Sequence, residues 1–101
     1  MASKIQLEVV YSLESREEIK EIIAYLRNSF SEKEVKQFDL MLIEFDQRVI
    51  NYPKVYPISN KKLRIRKAVL SKQLSVFYRV YRSHIFVATV KDNRCDTSEW
   101  S

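Results

Sequence analysis

A chain of 101 residues with a hydrophobic fraction of 46% has the size and apolar content of one domain, spanning 1–101. Its single cysteine, Cys95, excludes an intrachain disulfide, and its lack of any glycine excludes glycine-rich phosphate loops and dinucleotide fingerprints. The net charge of +5 is unevenly placed: residues 1–46 sum to −4, residues 47–91 hold eleven Lys/Arg and no acid, and residues 92–101 sum to −2. An acid-free block of this length sets up a field that attracts polyanions or acidic protein segments. Ordinary solvated surfaces mix both signs, so the block as a whole points to function even though each cation alone reads as a solvated strand face.

In chain order, residues 4–11 alternate, with Ile5, Leu7, Val9 and Tyr11 on one side, which predicts a half-buried strand. The N-terminus has no long apolar run, so neither a signal peptide nor a spanning helix is expected, and the cytoplasm is the expected compartment. Ser15-Arg16-Glu17-Glu18 reads as a capping box, with Ser15 as N-cap and Glu18 closing it. The helix that follows aligns Ile19, Ile22, Ile23, Leu26 and Phe30. Ser31-Glu32-Lys33-Glu34 repeats the signature and opens a second helix to about Tyr52, with a seam of Val35, Phe38, Leu42, Phe45, Val49 and Tyr52. Pro53 stops it. The short linker makes the two helices an antiparallel hairpin. A coiled-coil dimer competes as a reading of the seam, but its length is marginal for one, so core packing is preferred.

Residues 53–62, with Pro53, Pro57, Ser59 and Asn60, read as a loop. Three strand-like runs follow: 63–69, 74–81 and 85–90. In the second, Leu74, Val76, Tyr78 and Val80 alternate with Ser75, Phe77, Arg79 and Tyr81. Short connections at 71–73 and 82–84 make these runs an antiparallel meander. The first strand is too far along the chain to join it by a tight turn and must pair at an edge or beside the last strands. Without glycine, the turns fall to Asn, Ser, Asp, Pro or Lys. The expected fold is α+β, in the order β-α-α-β-β-β. The helical hairpin packs on a mainly antiparallel sheet of about four strands.

Several residue types bear on chemistry. His84, the only histidine, falls at a hairpin turn and reads as a solvated turn residue. Cys95 beside Arg94 has the setting of a lowered thiol pKa, but without a histidine partner it reads as a small residue at a strand end. No Cys/His set has metal-ligand spacing, so no metal and no cofactor are expected. Phe77, Tyr78, Tyr81 and Phe86 interleave with cations and have the chemistry to stack on bases, although strand aromatics more often pack in a core. Trp100, in a polar tail, suits either contact with a partner protein or docking on its own domain.

The run from Leu63-Arg64-Ile65-Arg66-Lys67 through Val76-Phe77-Tyr78-Arg79-Val80 and Ile85-Phe86-Val87 to Asp92-Asn93-Arg94 resembles the RelE/ParE toxin superfamily. That family has a basic strand, an aromatic-rich strand of the form aliphatic-x-Tyr-x-Val, an apolar strand and an Asp-x-Arg or related end. The Lys72-Gln73 turn and the Asn93-Arg94 end are most similar to the ParE-like branch, and the helices and the Pro53/Pro57 loop extend the resemblance over nearly the whole chain. It implies the toxin of a type II toxin–antitoxin (plasmid stabilisation) system, neutralised by a cognate antitoxin for which Trp100 is the candidate contact, as a homodimer or a toxin–antitoxin hetero-oligomer, with no membrane role. ParE-like members inhibit DNA gyrase without known hydrolytic chemistry; RelE-like members cut mRNA in the ribosomal A site.

Cleavage needs a base, an acid and cations around the transition state. As a ribonuclease the chain would use Arg66, Arg79 and Arg94. No Asp or Glu lies between Asp46 and Asp92, and Cys95, Asp96 and Trp100 stand where several ribonuclease members carry a Tyr or His-Tyr pair. The expected binding set, for target or nucleic acid, is Lys61, Lys62, Arg64, Arg66, Lys67, Arg79 and Arg94. Three functions follow: a ParE-like inhibitor, a RelE-like endoribonuclease, or an inactive toxin-fold binding protein.

Overall fold

The computed structural model describes residues 7–95. The elements are β1 (Glu8–Tyr11), α1 (Leu13–Ser29), α2 (Glu32–Asn51), β2 (Ile58–Asn60), β3 (Ile65–Val69), β4 (Leu74–Val80), β5 (His84–Asp92) and a final 3₁₀ turn (Asn93–Cys95). The five strands form one sheet in the order β1-β5-β4-β3-β2. β1 runs parallel to β5 at one edge, with Tyr11 opposite Val87, and the other neighbours are antiparallel. A helical hairpin on a mainly antiparallel sheet is the expected α+β arrangement. Trp100, like the start of the predicted first strand at residues 4–6, lies outside the described residues.

The α2 seam forms as its spacing requires. Val35, Phe38, Leu42, Phe45 and Val49 are all buried, and each fully buried side chain of this kind stabilises by roughly 1.5–3 kcal/mol. From α1, Ile22 and Leu26 are buried, and from the sheet Ala68, Leu74, Val76, Tyr78, Ile85, Val87 and Val90 close the core. Tyr52, expected on the seam, lies beyond the end of α2 and is exposed. Phe30 is also half-exposed; it is the C-cap of α1, edge-on to Tyr25.

Two further details differ from the expectation, each for a physical reason. The segment 53–62 contains a fifth strand, β2. It holds only three residues, all exposed, too few for a period to register, and it exists because Lys67 N–H finds Pro57 O at 3.0 Å and Ile58 stands opposite Arg66. The N-cap of α1 is Ser12, not Ser15. Ser12 is pinned to β5: its N–H donates to Val87 O (3.0 Å) and its Oγ donates to Ala88 O (2.9 Å), while Ser15 N–H donates to Ser12 Oγ (3.0 Å). Ser15 is buried inside the first turn.

Glu18 therefore closes no capping box. β1 ends at Tyr11, so the β5 edge beyond Val87 has no strand beside it. Glu18 fills that role, accepting from Val90 N–H (2.9 Å), Thr89 Oγ1 (2.6 Å) and Lys91 Nζ (2.7 Å). Burial alone would raise its pKa, but the hydrogen bonds from Lys91, Thr89 and Val90 outweigh burial and hold it below 4.5.

Candidate functional site

The aromatic residues of β4 and the loop after α2 build the site. Tyr78, fully buried, meets Phe45 edge-on at 5.4 Å and Tyr56 edge-on at 6.2 Å. Its hydroxyl donates to Pro53 O at 2.9 Å, and burial pushes its pKa up to about 12. Arg66 stands opposite Tyr78 in the β3–β4 ladder and so points to the helix-covered side. Its Nη1 donates to Tyr56 O at 2.7 Å and reaches Lys54 O at 3.4 Å. Tyr78 and Arg66 together hold the loop 53–57 over the end of the sheet.

That closure leaves a cleft of about 350 Å³ lined by Lys54, Ile58, Lys61, Arg64, Arg66 and Val80. Four cations surround an apolar floor, with no carboxylate in the lining. A low-dielectric floor concentrates the field of such a ring of charge. The β2–β3 turn supplies Lys61 and Arg64. Asn60 Oδ1 accepts from Leu63 N–H (3.0 Å), and Arg64 adopts a φ of 55°. With no glycine in the chain, an arginine takes the left-handed position, at a cost of about 1–2 kcal/mol. Turns were expected to fall to Asn, Ser, Asp, Pro or Lys; here Asn60 initiates the turn and Arg64 takes its left-handed position.

An apolar groove of about 600 Å³ adjoins the cleft and shares Lys54 and Val80 with it. Tyr52, Val55 and Tyr81 supply its apolar walls, and Arg82 joins Lys54 at its rim. Lys54 and Arg82 were not singled out from sequence. The signal for Lys54 was its place between Pro53 and Pro57, which fix the path of the loop.

The other predicted residues go elsewhere. Lys62 is exposed in the β2–β3 turn. Lys67 and Arg79 lie on the opposite, open face of the sheet: Lys67 sits over the Phe77 ring at 5.6 Å, and Arg79 over Tyr81 at 5.3 Å. Arg94 is consumed internally. Its Nε and Nη2 donate to Asp92 at 3.1 and 2.9 Å, Nη1 reaches Glu34 at 3.3 Å, and its guanidinium lies over Phe30 at 5.6 Å. Arg79 pairs with Phe86, whereas Asp92 pairs with Leu74, five residues along β4, or roughly 17 Å. Arg66, Arg79 and Arg94 thus occupy three separate places. His84 stacks on Tyr81 at 4.9 Å, on the open face. The Cys95 thiol is pushed up by burial, with Asp92 and Glu21 adding repulsion, the reverse of the lowered pKa its neighbour Arg94 suggested.

No protein-family model and no curated protein matches the chain. Among solved structures, a chain of the chromosomal ParDE TA system from P. aeruginosa superposes with a TM-score of 0.71 at 9% identity, over 88% of this chain and 98% of that one. The two chains share one fold. On this fold the acid-free segment supplies both the cationic cleft and most of the adjoining groove. Among the described residues, no helix is long and apolar enough to cross a membrane.

Proposed function

We propose that the chain is the toxin of a type II toxin–antitoxin system, ParE-like. On this reading it blocks an essential process such as DNA gyrase action by binding, and a cognate antitoxin neutralises it in the cytoplasm. One observation carries the reading beyond the fold: an acid-free cationic cleft opens directly into an apolar groove. Such a surface suits a protein segment that alternates acidic and apolar side chains, the kind a target or an antitoxin would present. Cleavage chemistry has less support, because no base lines the cleft and the three arginines a ribonuclease would use stay apart. A RelE-like mRNA endoribonuclease is the second reading, favoured by the convergence of Lys61, Arg64 and Arg66 on one cleft.

Two assays separate these readings: supercoiling by purified gyrase, and mapping of mRNA ends after induction in growing cells. The first reading expects growth arrest, blocked supercoiling and intact mRNA. Codon-periodic cleavage with normal supercoiling would overturn it in favour of the second. A chain that neither slows growth nor does either would be an inactive toxin-fold binding protein.

A further inference from the structure

We propose that the outer face of α2 pairs, antiparallel and about a two-fold axis, with the same face of a second copy of this chain. α2 carries two seams of one period. The inner seam, Val35, Phe38, Leu42, Phe45 and Val49, fills the core. The outer seam is Lys33, Lys36, Leu40, Ile43, Gln47 and Ile50, again at steps of three and four. It is displaced from the first by two residues, about 200° around the helix, so it lies opposite the core. Leu40 and Ile43 at its centre are 54% and 52% exposed. An apolar pair at the middle of such a seam is what a facing helix takes up.

The charges on this face choose the partner. In its N-terminal half the carboxylates are already engaged: Glu32 pairs with Arg27, Glu34 pairs with Arg94, and Asp39 lies in the field of Arg27. That leaves Lys33 and Lys36, exposed and in no ion pair among the described residues. In its C-terminal half, Asp46 and Ile50 wall a hollow of about 440 Å³, and Leu7, Glu8 and Val9 at the β1 edge form the opposite wall. Asp46 Oδ1 accepts from the Tyr11 hydroxyl at 2.6 Å. Burial holds the Asp46 carboxyl above its usual range, and an arriving ammonium would relieve that. The cation of this half, Arg48, turns to the sheet side, where Nη1 donates to the Tyr56 hydroxyl at 3.2 Å.

A face with lysines at one end and an acid-lined hollow at the other complements itself only when reversed. Setting Leu40 against the partner's Ile43 brings Lys36 to the partner's Gln47 and Lys33 to the partner's Ile50. Lys33 then enters the hollow, its stem along apolar walls and its ammonium between two carboxylates. Two-fold symmetry repeats each contact. A parallel pair would set lysine against lysine. The reversed pair also leaves the cationic cleft open, because α2 ends at the loop that walls it and the two loops go to opposite ends of the dimer. The inference therefore stands independently of what the cleft binds. About six side chains from each copy fall well short of the roughly 20–30 of a standard interface, so the dimer is a weak one.

The test is sedimentation equilibrium of the whole chain up to about 1 mM, with an expected dimer Kd on the order of 100 µM. Leu40→Lys and Ile43→Lys should each weaken the dimer at least about tenfold. Both positions are half-exposed, so the core is kept, and circular dichroism checks folding of every variant. Lys33→Glu and Glu8→Lys should each weaken it about fivefold, and the double variant, which restores opposite charges between copies, should return to within about twofold of the parent. A chain that stays monomeric at the highest concentration overturns the proposal, whatever other protein this face then holds. So does a dimer undisturbed by Leu40→Lys and Ile43→Lys. A double charge-reversed variant no better than either single change overturns the antiparallel arrangement.

Discussion

The two ends of the sheet treat charge in opposite ways. Where β4 begins and β5 ends, the charges are spent on each other: Arg94 joins Asp92 and Glu34, and nearby Glu18 gathers Thr89, Val90 and Lys91. At the other end, where β4 finishes and the loop after α2 folds over, Lys54, Lys61, Arg64 and Arg66 converge without a carboxylate among them. Like charges brought together cost stability unless something else compensates. The first end uses ions to hold the fold, and the second keeps an uncompensated field aimed outward. Arg94, which closes the run Asp92-Asn93-Arg94, belongs to the first end, and the run alone does not reveal that.

Mutation of the paired end should cost stability first. In Arg94→Ala, the fully buried Asp92 carboxylate loses its Nε and Nη2 donors and keeps only the Arg94 N–H. Stranding a buried charge in this way costs about 3 kcal/mol, which lowers the melting temperature by more than about 10 °C. Thermal denaturation followed by circular dichroism measures it. A variant that melts like the parent but no longer inhibits its target would move Arg94 to the functional end and break the contrast.

Glu18→Gln comes next, at about 2 kcal/mol, because an amide cannot accept from Thr89, Val90 and Lys91 as an anion does. The Lys91 side chain is 60% exposed and adds little of this. The parent protein should show the same interaction as a pH effect. Its folded-state pKa is depressed, so the contribution is complete above the unfolded value of 4.5 and disappears as pH falls through the folded one. Urea midpoints for the parent should therefore drop below pH 4.5 more steeply than those of Glu18→Gln. Parallel curves would remove Glu18 from the account.

The same contrast explains what could be read from the chain. The α2 seam and the β4 alternation are local periods, and Val35, Phe38, Leu42, Phe45 and Val49, then Leu74, Val76 and Tyr78, are buried as those periods require. The sign of the residue 47–91 block is equally local. What escaped depends on partners far along the chain. Ser12 is the cap because Val87 and Ala88 hold it, and Arg94 is silenced by Glu34. Arg66 and Arg79 lie on opposite faces because Arg66 pairs with Tyr78 rather than with a neighbour one residue along. A one-residue change of register would have put them on the same face.

At the unpaired end the expected order reverses: large functional change with small stability change. Lys61→Glu/Arg64→Glu touches no core side chain and should alter unfolding free energy by less than about 0.5 kcal/mol. On the proposed gyrase-inhibitor reading it should nevertheless abolish inhibition in the supercoiling assay, because it reverses the field of the cleft. A double variant that still inhibits would exclude the cleft as the docking surface.

The smallest functional effect is expected at Arg64, and it separates the backbone from the side chain. Its φ of 55° suits glycine. Arg64→Gly relieves the left-handed cost of about 1–2 kcal/mol, and the greater freedom of glycine in the unfolded chain takes part of that back. The net gain should be under about 1 kcal/mol, read as a slightly raised urea midpoint. The cleft meanwhile loses one of its four cations while the turn keeps its shape. Inhibition that weakens as stability rises would show that the chain tolerates the strained backbone to place a guanidinium at the cleft mouth. Inhibition unchanged in Arg64→Gly would mean the turn matters for its path alone, and Lys54, Lys61 and Arg66 would carry the field.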